Sequence, residues 1–92
     1  MRKPELVAAV AAATGLSKAQ AGQVVNIVLD EILLSLSQGE DVSLPGFGSF
    51  TRRHRAERTG RNPQTGESMV IAASNSVAFK PGKQLRDAVA GS

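Results

Sequence analysis

The sequence contains no cysteine and only one histidine, His54. Without cysteine there is neither a disulfide framework nor a thiolate metal site, and a single histidine cannot form a histidine cluster. The absence of cysteine is compatible with a reducing compartment. No secretory apolar segment stands near Met1, and the longest apolar stretch, 24–36, is interrupted by polar residues. We therefore expect a cytoplasmic protein that does not span a membrane.

The length and charge of the chain indicate how many domains it has and what kind of partner it binds. A chain of 92 residues favours one small domain whose limited core often needs a partner subunit. Residues 1–50 carry three basic and five acidic residues, a net charge of −2, whereas residues 51–92 carry eight and three, a net charge of +5. A basic half indicates a polyanionic partner, most often nucleic acid. A merely solvated charged surface is an equally good reading of the charge alone.

Two helices are predicted in the first half of the chain. Apolar residues recur at helical spacing over residues 3–14, and Gly15 provides a C-terminal stop. Ser17 followed by Gln20 is the pattern of a capping box. The second helix is predicted from this box over residues 18–38.

The second helix carries more apolar surface than one short neighbouring helix can cover. Its apolar residues spread over roughly 260° of a helical wheel, and a helix that is apolar on most sides is buried on most sides. The sequence therefore predicts an intertwined dimer core. The alternative is a helix held within one subunit against a sheet. The apolar residues are Val24, Val25, Ile27, Val28, Leu29, Ile32, Leu33, Leu34 and Leu36.

Alternation with period two begins near Val42 and is followed by the segment PGFGSF, residues 45–50. This segment lacks the third glycine of a dinucleotide fingerprint, and no helix follows it. We expect its glycines to permit a turn and a close backbone approach, for example to a phosphate. Phe47 and Phe79 are expected in the core.

The arginine-rich segment that follows cannot be a core strand. Five arginines and one glutamate lie between residues 52 and 61, so neither face of a strand there could be buried. Residues 50–58 and 67–75 are predicted as the legs of a long, solvent-exposed hairpin joined by the turn NPQTG. An isolated ribbon is marginal in water, and arginine-rich ribbons have a use on nucleic acid. The alternative is a flexible surface loop with incidental charge.

The C-terminal segment is predicted to close the domain. Residues 76–79 indicate a short strand, and residues 83–90 a final helix. In that helix Leu85 and Val89 are expected to point inward, with Lys83 and Arg86 outward.

The motif Gly46–Phe50, followed by Arg55, Arg58 and the run GRNPQTG at residues 60–66, closely resembles the bacterial histone-like HU family, which includes integration host factor. The resemblance covers essentially the whole chain. It implies an α+β fold: an intertwined dimer with a helical base, a β-sheet saddle and protruding β-ribbon arms. It also implies binding of double-stranded DNA, with the arms in the minor groove.

The resemblance implies a role for individual residues as well. Pro63 would be the wedge that kinks the duplex, with Asn62 and Gln64 beside it at the arm tip. Gly46 would offer its backbone N–H near the saddle. A rigid, apolar proline suits partial insertion between base steps, and arginine suits the narrow minor groove. The remaining DNA contacts implied are Arg53, Arg55, Arg58 and Arg61 along the arm, and Lys3, Lys80, Lys83 and Arg86 along the body.

The chain departs from the usual HU pattern in places. Glu67 stands where many HU proteins have lysine and integration host factor chains often have an acid, and Pro81 stands where alanine is frequent in HU. Thr59 looks more like HU. A non-specific HU-like homodimer is favoured, with a site-specific DNA-bending subunit like integration host factor as the alternative.

One HU-like domain is expected over residues 1–92. A helical dimerisation region covers 1–40, the saddle sheet covers 41–80 with an arm at about 51–75, and the C-terminal helix lies in 81–92. We expect a nucleoid-associated protein without cofactor, metal ion or small-molecule substrate.

Parts of the sequence also suggest three other functions. The segment Thr14–Ser17 resembles the turn of a helix-turn-helix regulator, but the following helix turns largely apolar where a recognition helix needs an exposed polar face. A protein-interaction module with a basic arm for acidic partners would tolerate loss of Pro63. An enzyme is least expected, because Ser49 and His54 lack the partners that catalysis requires.

Overall fold

The computed structural model describes residues 1–91 and contains three helices and antiparallel strands, which confirms the α+β expectation. In chain order the elements are α1 (Lys3–Thr14), α2 (Lys18–Ser37), β1 (Val42–Leu44), β2 (Gly48–Arg55), β3 (Arg58–Arg61), β4 (Ser68–Ile71), β5 (Ser74–Pro81) and α3 (Lys83–Ala90).

The link between the first two helices forms as the sequence predicts. Gly15 ends α1 with φ +76°, in the left-handed region that glycine adopts without steric cost. The Gln20 backbone N–H donates to Ser17 Oγ over 3.1 Å, and the Ser17 N–H donates to Gln20 Oε1 over 3.2 Å. This capping box satisfies donors that the first turn of α2 would otherwise leave unpaired.

The three-stranded sheet has the order β1-β2-β5, with all pairs antiparallel. Strand β1 pairs only with Gly48–Phe50, so β2 and β5 continue beyond it as two strands. Side chains alternate between faces along a strand. We name the side bearing Phe50, Arg52 and His54 the helix-side face, because Arg52 and Val77 line a cleft with residues of α2. The opposite side is the open face.

The arm is a separate two-stranded sheet of β3 and β4 rather than a continuation of one ladder. The predicted hairpin with legs 50–58 and 67–75 is present, but its ladder is interrupted where residues 56–57 and 72–73 leave it. Alanines fill three of these four positions and offer little side chain for cross-strand packing. Strand β5 is correspondingly longer than the strand predicted over 76–79.

The single chain encloses almost no core. Within residues 1–91, Ala21 and Val25 are the buried apolar residues, while Leu33 is 68% exposed. The accessible surface is 7404 Å², against about 5,100 Å² for a compact monomer of this mass. The radius of gyration is 19.5 Å, against about 12 Å for a compact domain of this length. The chain therefore leaves a large apolar surface without cover.

Three burial predictions are wrong for the single chain. Phe47 is 52% exposed, Phe79 42% and Val89 79%. The rings of Phe47 and Phe50 do contact Phe79, with centroids 5.8 and 4.9 Å apart, but within residues 1–91 Phe47 and Phe79 remain 52% and 42% exposed. By length and composition alone α2 could also cross a membrane, a test that core helices of soluble proteins pass as well.

Candidate nucleic-acid interface

The open face of the sheet carries cations among small side chains. The registers Ser49↔Lys80, Arg53↔Ser76 and Arg55↔Ser74 place the three basic residues on this one face. Thr51 and Ala78 fill the rung between Lys80 and Arg53. A basic surface without bulky side chains lets a polyanion approach the backbone closely.

Arg52 and Arg53 are neighbours in sequence, but their side chains project from opposite faces of the sheet. The Arg52 guanidinium lies against Gly39, where a Cβ would be 2.6 Å from Arg52 Nη1. Its backbone N–H donates to Asp41 Oδ1 over 3.2 Å. Gly39 follows the C-terminus of α2, where a cation interacts favourably with the helix dipole. Arg52 therefore ties the sheet to the helical base, while Arg53 is exposed on the open face.

The arm carries arginine on both of its faces. The registers Arg58↔Ile71 and Arg61↔Ser68 are separated by three rungs, so Arg58 and Arg61 project to opposite sides. Ile71 packs over Gly60, where a Cβ would lie 2.9 Å from Ile71 Cδ1. A ribbon that is cationic on both sides can contact both walls of a groove lined with phosphates.

The arm tip is closed by its own hydrogen bonds. The Gly66 N–H donates to the Asn62 carbonyl over 2.7 Å, and the Asn62 N–H donates to the Glu67 carbonyl over 2.9 Å. The Gln64 N–H donates to Asn62 Oδ1 over 2.9 Å. These bonds satisfy the turn internally and leave Pro63 exposed at its end. Pro63 has no N–H of its own to satisfy.

The remaining predicted residues lie on the body. Lys83 begins α3 and Arg86 follows one turn later, both exposed. Gly46, with φ +83°, lies beside this helix: its carbonyl accepts from the Leu85 N–H over 3.3 Å. Lys3 lies at the start of α1, which packs on α2.

The structure thus divides the predicted site into three groups. Arg53, Arg55 and Lys80 share the open face, Arg58 and Arg61–Gln64 form the arm, and Gly46, Lys83 and Arg86 cluster at the start of α3. Lys3 belongs to the helical base and not to the sheet. Sequence reasoning did not identify Thr51, Ser74 and Ser76, whose hydroxyl groups join the cations on the open face. Counting alternate positions back from Lys80 along β5 would have found the two serines.

Comparisons with known proteins identify relatives over nearly the whole chain. The model of a family described as bacterial DNA-binding protein matches residues 1–90. The chain is 60% identical to DNA-binding protein HU-alpha of Pseudomonas aeruginosa over 89 residues, covering 97% of this chain and 99% of the relative. It is 55% identical to DNA-binding protein HU of Xylella fastidiosa, covering 100% of this chain and 98% of the relative.

Among solved structures, an Anabaena HU–DNA cocrystal structure superposes with a TM-score of 0.81 at 46% identity, and each chain is covered completely. The similarity therefore extends over the sheet and the arm as well as the helices.

Proposed function

The chain belongs to the bacterial DNA-binding protein family, and we propose that it is an architectural, histone-like protein that binds double-stranded DNA with little sequence specificity and bends it. One observation carries the proposal: the cations of the open face continue into an arm that is cationic on both sides. This surface offers electrostatic attraction to a phosphate backbone without a helix directed at base edges. The Anabaena HU relative was crystallised with DNA.

The acting unit in this proposal is a homodimer joined through the helical region, residues 1–40. Ile27, Val28 and Leu33 are each more than half exposed in the single chain. The surface exceeds that of a compact monomer by about 2,300 Å², part of which belongs to the arm. A second copy that covers the helices would bury an area within the range of stable dimers. The homodimer then presents two open faces and two arms.

Each arm would follow the minor groove. Arg58 and Arg61 project to opposite sides of the ribbon and would meet phosphates on both walls, where a narrow groove strengthens the negative potential. Lys80, Lys83 and Arg86 would bind the backbone outside the bend. These contacts do not distinguish one DNA sequence from another, since phosphate contacts position a protein without reading the bases.

Pro63 would wedge between base pairs at the end of the arm. Its ring is apolar and exposed, and the turn beneath it is satisfied by the Asn62 and Gly66 hydrogen bonds. Partial insertion unstacks a base step at a cost of a few kcal/mol, which is offset by added contact along bent DNA. Repeated binding would compact and stabilise chromosomal DNA, and the protein would then act on the nucleoid in the cytoplasm.

Competition between a random duplex, a nicked or pre-kinked duplex and a candidate specific site tests this function. Similar affinity for unrelated linear sequences and tighter binding to the nicked duplex are expected, because nicked DNA resists bending less. Strong preference for one linear sequence would instead indicate a site-specific bending protein like integration host factor. Binding to none of the duplexes would refute the function.

Energy transfer between dyes on the two duplex ends tests the wedge. Pro63→Ala should reduce the bend more than it reduces affinity, and Ser68→Ala, an exposed residue of the same arm outside the predicted site, is the matched control. An unchanged bend in Pro63→Ala would refute the wedge role of Pro63. Binding to phosphates would still be tested separately by the competition assay.

A further inference from the structure

A side-chain hydrogen bond joins β2 and β5 close to the root of the arm. His54 Nδ1 and Asn75 Oδ1 are 2.7 Å apart, and the two residues are Cα partners in the ladder. Only the rung Arg55↔Ser74 follows before the ladder is interrupted at residues 56–57 and 72–73. We propose that His54 and Asn75 form a clasp that positions the arm relative to the body and thereby sets how strongly the protein bends DNA. This inference rests on the proposed function.

The clasp lies where the sheet has lost its lateral support. Strand β1 covers β2 only as far as Phe50, so from Thr51 onward β2 and β5 form a two-stranded ribbon. Such a ribbon is marginally stable in water on its own, and cross-strand side-chain pairs are its principal local stabilisation. Asparagine is disfavoured within strands. Its side-chain bond to His54 gives Asn75 a stabilising role at this position.

The pair acts through the backbone and not by touching DNA. His54 shares the helix-side face with Arg52, whereas Arg53 and Arg55 share the open face. The imidazole therefore projects away from the surface proposed to bind DNA. It holds together the two strands that carry the open-face arginines and continue into the arm, which makes His54 and Asn75 positioning residues.

The clasp does not depend on the charge of the imidazole. Asn75 Oδ1 is an acceptor, so His54 Nδ1 carries the hydrogen, and Nδ1–H is present in both the protonated ring and one neutral tautomer. The charged side chains nearest along the strand are Arg52 on the same face and Arg53 and Arg55 on the other. With the Asn75 amide turned about its last bond, its N–H donates to a neutral Nδ1 instead, so the two side chains can pair in either tautomer of the neutral ring.

Four variants of the full-length protein test the clasp: His54→Ala, Asn75→Ala, the double alanine variant, and a swapped variant that combines His54→Asn with Asn75→His. Ser74→Ala, at the adjacent rung, is the control for the hydrogen-exchange measurement only, because Ser74 lies on the open face. In the free protein, hydrogen exchange of the amides of residues 53–55 and 74–76 should rise about two- to fivefold in each alanine variant, the range of a partly exposed neutral hydrogen bond. Amides of residues 48–50 should not change.

The double variant should exchange no faster than either single variant, because one interaction has been removed in all three. The swapped variant should restore slow hydrogen exchange, since the same two side chains again face each other across the rung. Additive effects of the two alanines would overturn the clasp.

End-to-end energy transfer on a bound duplex then tests positioning. The alanine variants should lower the mean bend or broaden its distribution, while their affinity for a linear duplex changes less than twofold. The swapped variant should recover the wild-type bend. Faster amide exchange with an unchanged bend would refute the positioning role. A wild-type protein that does not bend DNA would refute the proposed function instead, while the hydrogen-exchange results would still decide whether the clasp exists.

Discussion

Replacing Arg53 by alanine should flatten the salt dependence of DNA binding, whereas the same replacement at the adjacent Arg52 should not. Arg53 lies exposed on the open face, and Arg52 lies against Gly39 at the C-terminus of α2. The two variants remove the same side chain and the same formal charge from consecutive positions. Any difference in salt dependence therefore reports the face on which DNA lies.

The size of the effect follows from counterion release. Each cation placed against duplex DNA contributes about 0.9 to the slope of log affinity against log salt. In a homodimer the Arg53→Ala change removes two such cations, so the slope should become shallower by about 1.8. Between about 50 and about 200 mM salt, the wild type should then lose about 12-fold more affinity than the Arg53 variant.

Fluorescence anisotropy titrations at four or more salt concentrations would measure both slopes, and denaturant unfolding would measure stability. Arg52→Ala should keep the wild-type slope and lower the free energy of unfolding by about 0.3–1 kcal/mol per chain, since α2 loses a cation near its C-terminus. Arg53→Ala should leave stability unchanged. Equal flattening in both variants, or flattening in Arg52→Ala alone, would refute the assignment of faces.

Three other substitutions test the fold and the dimer. Leu33→Glu places a charge on a side chain that is 68% exposed in the single chain, so sedimentation should show a monomer; a persistent dimer would place the interface elsewhere. Gly48→Ala puts a Cβ 2.7 Å from the Lys80 carbonyl and should cost about 1–3 kcal/mol in denaturant unfolding, and a neutral result would contradict this packing. Ser17→Ala should cost about 0.5–2 kcal/mol through the lost cap, unlike Ser37→Ala at the other end of α2; equal costs would argue against the capping box.

The local features of the fold could be predicted from the sequence because local residues determine them. Gly15 and the pair Ser17–Gln20 define the junction of α1 and α2, and each acts within one helical turn. The bounds of α1 and α3 match the prediction for the same reason. The exposure of Phe47 and Val89 could not be predicted in this way, since burial depends on how elements distant in the sequence pack together.

Strand pairing shows a second limit. The arginine-rich composition of residues 52–61 predicted an exposed arm, but composition does not reveal which residues leave a ladder. The gap at residues 56–57 and 72–73 separates β2–β5 from β3–β4. In the candidate site, Arg53 and Arg55 were predicted from the family resemblance. That they lie on the opposite face of the sheet from Arg52 depends on the register with β5. The hydrogen bond between His54 and Asn75 depends on the same long-range register.

The interruption at the arm root is symmetrical, with two residues omitted from each strand between the rungs Arg55↔Ser74 and Arg58↔Ile71. The arm therefore forms its own two-stranded sheet, so a change in its length need not alter the β2–β5 ladder of the body. Adding one two-residue repeat to each of β3 and β4 would extend its reach by about 7 Å and keep every arginine on its side. A one-residue insertion in a single strand would reverse the sides beyond it. Arm length in such proteins should therefore change in even steps.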